Sequence, residues 1–147
     1  MNVFTRNIKA KLVAFAVGLA VFVGLQALSM TVMKDFYVFE WLGREKYGHI
    51  WITALLLIIF DRTLVSYFVT FGAPLGAVAG QFLGDYFEER SLAKITPDMD
   101  DDIRHNLLEH SHHGVFIFYA TVLICLVIGI VLTVILRKRR ERRQENA

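Results

Sequence analysis

The chain has 147 residues, 55% of them hydrophobic, and a formal net charge of +2. That length suits one domain, and because the apolar residues arrive in long uncharged blocks, the class is an all-α integral membrane protein, not a soluble enzyme. The single cysteine, Cys125, lies inside the last apolar block, which excludes a disulfide scaffold.

Leu12 to Met33 carries no charge and exceeds the ~20 residues that cross a ~30 Å hydrocarbon layer. It predicts a first span over 12–33. Arg6, Lys9 and Lys11 before it resemble the start of a secretory signal, but the apolar stretch is longer than the ~7–15 residues of such a signal and no A-x-A site follows. It therefore reads as an anchor. Ala16, Ala20 and Gly24 form a small-residue ladder on it, joined by Ala14 and Gly18, which suits the docking of another helix.

Segment 34–48 is expected outside. Its Phe36, Tyr37, Phe39, Trp41 and Tyr47, with Trp51 just beyond, read either as an interfacial aromatic belt or as a lid over an outward-facing pocket. The apolar stretch from His49 to Phe87 would measure roughly 58 Å as one helix, far more than a bilayer, so it must break. Gly72-Ala73-Pro74 is the favoured break, because Pro disfavours helix at its predecessor and suits a helix start. That gives spans at about 49–71 and 74–90, the second short or re-entrant. A rival break at Asp61-Arg62 would set those charges in a cytoplasmic turn.

Segment 88–112 is acidic and also expected outside, with Asp100 to Asp102 suited to the positive end of a helix opened near Pro97-Asp98. A last span over 114–136 is free of charge, and a basic tail, 137–147, abuts it. The basic residues at both ends predict cytoplasmic termini and hence an even number of crossings, here four, packed through small-residue ladders. The tail reads as a topological stop or as an attraction to anionic lipid.

Three constellations could carry chemistry. His105, Glu109 and His112 recur at helical spacing and would form a face able to hold a divalent metal ion such as Zn, Ni, Fe or Mn, or simply a solvated polar face. Asp61 and Arg62 are candidates for intramembrane polar residues lining a pathway, unless they mark the turn. Gly72, Gly76, Gly80 and Gly84 align on one helical face as a packing or partner-docking ladder, with Gln81 and Asp85 beside it as further intramembrane polar groups. No Ser/His/Asp or Cys/His pattern suggests catalysis, so no enzyme is expected. The tail lacks interleaved aromatics, so no nucleic-acid partner is expected.

The stretch Phe71-Gly72-Ala73-Pro74-Leu75-Gly76-Ala77-Val78-Ala79-Gly80-Gln81-Phe82-Leu83-Gly84-Asp85 resembles the F-G-P-x-x-G-x-x-x-G-x-x-x-D segment of S components, the substrate-binding membrane subunits of energy-coupling-factor transporters. Ala16-xxx-Ala20 is similar to the A-x-x-x-A stripe those subunits present to a coupling subunit. The likeness covers roughly residues 12–87; this chain has room for about four spans where such proteins usually have six, and Pro74 is displaced from their Gly-Pro order. It implies a first span that docks a coupling module and an outer loop that binds a small solute. The resulting expectation is a non-enzymatic transport-related subunit of the inner (cytoplasmic) membrane, binding a small solute or metal ion on its outer face. Its partners would be the lipid bilayer and other membrane subunits, or further copies of itself. The alternative is a self-assembling holin-like or channel-like protein.

Overall fold

The uncharged run after Lys11 forms a single helix, α1 (Val3–Met30), in the computed structural model, which describes residues 3–45, 47–96, 98–109 and 112–145, and the side chains of these except 3–7, 45, 106–109 and 145. All regular structure among the described residues is helical. The last turn of α1 is closed by Ser29 and Thr31, whose hydroxyls donate to the carbonyls of Leu25 and Ala27 at 2.8 and 2.7 Å.

Most of segment 34–48 is helical. Residues Tyr37–Glu45 form α2, an amphipathic helix that buries Val38, Phe39 and Leu42 and leaves Glu40 and Arg44 outside as an i,i+4 ion pair. Phe39 and Tyr47 belong to the core, Trp41 and Trp51 pack against it, and only Phe36 and Tyr37 stay largely exposed. The aromatics of this segment therefore act mainly as core.

Helix α3 (Gly48–Ile59) is apolar but short, about 18 Å at 1.5 Å per residue. Helix α4 (Thr63–Leu92) follows after the turn at 60–62 and runs without interruption through Pro74. The expected break at Gly72-Ala73-Pro74 is thus corrected to the rival position at Asp61-Arg62, and the expected spans at 49–71 and 74–90 become α3 and α4. Asp61 turns the chain with φ 59°, a left-handed conformation that Asp tolerates better than most side chains. Lys11 holds its carboxylate at 2.8 Å and also donates to the Ile59 carbonyl at 3.3 Å. Pro74 lies among the buried residues Ala73, Gly76 and Ala77 of this helix, and proline within a helix is tolerated where protein packs around it. Putting Asp61 and Arg62 at a turn, within reach of Lys11, also avoids carrying them into hydrocarbon.

The acidic segment begins in the last turn of α4, with Glu88 and Glu89, and its later part forms α5 (Asp101–Glu109), opened by the Asp100 carboxylate, which accepts from the Asp102 N–H at 3.2 Å. Pro97 lies outside the described residues. Helix α6 (Gly114–Glu145) carries the last apolar run and continues into the basic tail, where Arg137 pairs with Glu141 at 3.0 Å.

Cross-links set the register. Lys11 near the start of α1 meets the α3–α4 turn, while the Val38 N–H near the start of α2 donates to Gln81 far along α4 at 2.9 Å. Between them, Ser66 donates to the Ala54 carbonyl at 2.8 Å, and Tyr47, at the α2–α3 joint, donates to the Phe22 carbonyl at 3.1 Å. So α1 and α4 run one way, α6 runs back, and α2 with α3 descends as a broken rod from the level of Gln81 to that of Lys11. The core at their centre gathers Phe22, Leu42, Ile50, Val69, Ala73 and Phe118. Apolar side chains of α1, α4 and α6 also cover the outer surface. Ile8–Met30, Thr63–Leu92 and Gly114–Gln144 are each long and apolar enough to cross a membrane. An apolar exterior of this extent belongs to a membrane-embedded protein.

Candidate metal centre

Gly72, Gly76 and Gly80 of α4 face α6, and Gly84 faces His112 just before it. A Cβ on Gly72 would stand 2.9 Å from the Cβ of Cys125, and one on Gly76 would stand 2.9 Å from the Phe118 carbonyl oxygen. On Gly80 it would stand 2.5 Å from the Gly114 carbonyl oxygen, and on Gly84 it would run into the His112 ring. Gly114 answers from the other helix, since a Cβ there would meet the Gly80 carbonyl at 2.7 Å and Val38 Cγ2 at 2.5 Å. The bare backbones thus bring the start of α6 against α4, and the last step of the ladder is the floor on which His112 rests.

His112 is not on the helix that its spacing suggested. Helix α5 ends at Glu109, and His112 lies beyond it, just before α6, turned back onto α4. Its side chain is only 7% exposed, and Tyr37 covers it with ring centroids 3.9 Å apart. The Gly114 N–H donates to Nδ1 at 3.1 Å. A backbone N–H can only donate, so a neutral ring carries its proton on Nε2. Nε2 then donates to Asp85 Oδ1 at 3.2 Å. The same carboxylate oxygen accepts from Gln81 Nε2 at 2.7 Å, and Gln81 Oε1 in turn accepts from Val38. One hydrogen-bond chain therefore joins α2, α4 and the start of α6 through Val38, Gln81, Asp85, His112 and Gly114.

Glu88 completes a possible ligand set. One ligand atom each from Asp85, Glu88 and His112 lie within 4.8 Å of one another. The 3.2 Å between Asp85 and His112 is already the edge length of a coordination polyhedron with bonds of about 2.1 Å. Two carboxylates and an imidazole suit Zn²⁺, Mn²⁺ or Fe²⁺, with water filling the remaining positions. A cation on Nε2 would require the ring proton to move to Nδ1, which would remove the acceptor from the Gly114 N–H.

The other singled-out residues lie elsewhere. His105 is exposed on α5, and the Glu109 side chain lies outside the described residues. Asp61 and Arg62 sit in the α3–α4 turn, not in the interior of an apolar helix, for the reasons given above. Ala16, Ala20 and Gly24 are exposed, with nothing within 4 Å of a Cβ built on Gly24, whereas Ala14 and Gly18 face inward. Sequence reasoning missed Glu88 as a site residue, and named Tyr37 only among the aromatics of its segment. The signal for Glu88 was available: Gln81, Asp85 and Glu88 stand at i, i+4 and i+7 on one helix.

Comparison with protein-family models, with curated proteins and with solved structures gives no match. The site is therefore read on its own chemistry.

Proposed function

We propose that this chain is a non-enzymatic, transport-related subunit of the inner membrane that takes a divalent cation at Asp85, Glu88 and His112 on its outer face. The observation that carries the reading is the return of a nearly buried histidine onto Asp85, beside Glu88, across 27 residues of chain. Two carboxylates and an oriented imidazole gathered at one end of the bundle supply the oxygen and nitrogen donors that a divalent cation takes.

The chain crosses four times on this reading. Helices α2 and α3 together serve as one discontinuous crossing, since residues 37–59 would span about 34 Å as helix, and discontinuous helices are tolerated where protein covers them. Lys11, Arg62 and the basic start of the tail share one end, which the positive-inside rule assigns to the cytoplasm along with both termini. The cation site then faces outward. The exposed stripe of Ala16, Ala20 and Gly24 is available to a partner subunit, which the resemblance to S components also implies. The holin-like alternative loses the residues that were to line its pore, because Asp61 and Arg62 belong to a turn.

Equilibrium dialysis of the detergent-purified chain against Zn²⁺ and Mn²⁺ tests the reading. One equivalent is expected to bind to the wild type and to His105→Ala, and none to Asp85→Asn or His112→Ala. Stoichiometric binding that survives in Asp85→Asn, or a wild type that binds neither ion, would overturn it.

A further inference from the structure

At the opposite end of the bundle, Arg62, Thr63, Leu64, Leu136, Arg137 and Arg140 line a groove of about 280 Å³ between α4 and α6. Asp61 also borders it, but its carboxylate is held by Lys11 at 2.8 Å, and Arg137 is shared with Glu141. Arg62 and Arg140 have no ion pair among the described residues. The first turn of α4 opens on the same groove: Thr63 and Leu64 line it, and the N-cap residue Arg62 makes no side-chain capping hydrogen bond, so the leading N–H groups have no partner from that residue.

From these features we infer that the groove binds the phosphate of an anionic phospholipid headgroup. Guanidinium groups pair with phosphate in forked geometry, and an uncapped helix start adds N–H donors and the positive end of the helix dipole. The source of the phosphate follows from the rest of the lining. Leu64 and Leu136 form its apolar side, and the exposed apolar surface of α6 begins there, with Leu132, Ile135 and Leu136 all open to the outside. A free phosphate would have no use for that side, whereas a lipid sets its glycerol and acyl carbons against it. The groove also lies where the uncharged run of α6 gives way to Arg137, the level of a headgroup. This inference does not depend on the cation site.

Native mass spectrometry of the full-length protein from mixed phosphatidylglycerol–phosphatidylcholine micelles tests it. At least one phosphatidylglycerol should be retained in preference to phosphatidylcholine. Arg62→Gln and Arg140→Gln should each weaken retention about fivefold, and the pair together about 25-fold. The matched tail variant Arg142→Gln/Arg143→Gln, which removes the same charge outside the groove, should leave retention unchanged. Equal loss in the tail variant would show diffuse attraction to the tail and overturn the site. Equal retention of phosphatidylcholine, or displacement of the lipid by millimolar inorganic phosphate, would also overturn it.

Discussion

Replacing Gly80 by alanine tests the close approach of α4 and α6 at its tightest point. The added Cβ would stand 2.5 Å from the Gly114 carbonyl oxygen, with the Phe118 backbone nitrogen at 3.4 Å. Real Cβ atoms essentially never come within 3.0 Å, so the helices must part by at least half an ångström there. The obstacle is backbone and cannot rotate aside, so the upper part of the ~1–3 kcal/mol range for overpacking applies. Alanine returns about 1 kcal/mol through its better helix propensity, leaving a net loss of about 2 kcal/mol. Unfolding in sodium dodecyl sulfate, followed through Trp41 and Trp51, which both pack against the core, would register that loss. Gly24→Ala is the control: nothing lies within 4 Å of its Cβ, and it should be neutral or up to about 1 kcal/mol more stable than wild type. A Gly80→Ala protein as stable as the Gly24→Ala protein would refute the packing argument.

Gln81→Leu keeps side-chain bulk but strands the buried Val38 N–H and removes a donor from Asp85. A loss of about 1–3 kcal/mol is expected, with faster hydrogen exchange at the Val38 amide, and Gln81→Glu should preserve that amide's protection. At the other end, Asp61→Asn removes a pair whose side chains are 31% and 60% exposed, so its cost in the same unfolding assay should stay within about 1 kcal/mol. Asp61→Val must hold a β-branched residue at φ 59° and should lose about 1–3 kcal/mol more.

The two outer spans were readable because an uncharged run longer than a bilayer has few alternatives. The middle of the chain was harder for specific reasons. Pro74 signals a helix break when its neighbours offer nothing in exchange, and here α6 packs closely on both sides of it through Gly72 and Gly76. The break went to Asp61, whose tolerance of the left-handed turn and pairing with Lys11 a propensity argument undervalues. Helix α2 was hidden because its aromatics looked interfacial, although Val38, Phe39 and Leu42 fit a buried helical face. Asp85 and His112 were each singled out, but in different groups. Helical spacing tied His112 to His105 and Glu109, while the end of α5 at Glu109 freed it to fold onto α4. Such a contact between residues 27 apart leaves no period in the sequence.

The most direct test of the cation site is ¹⁵N nuclear magnetic resonance of histidine-labelled protein in micelles, with the His112 signals assigned by their absence in His112→Ala. Without metal, the ring should be the neutral tautomer protonated at Nε2, donating to Asp85 and accepting the Gly114 N–H. Stoichiometric Zn²⁺ should transfer the proton to Nδ1 and give Nε2 the shift of a metal-bound nitrogen, and Asp85→Asn should prevent the change. A ring protonated at Nδ1 before metal is added, or one that Zn²⁺ leaves unaltered, would contradict the account.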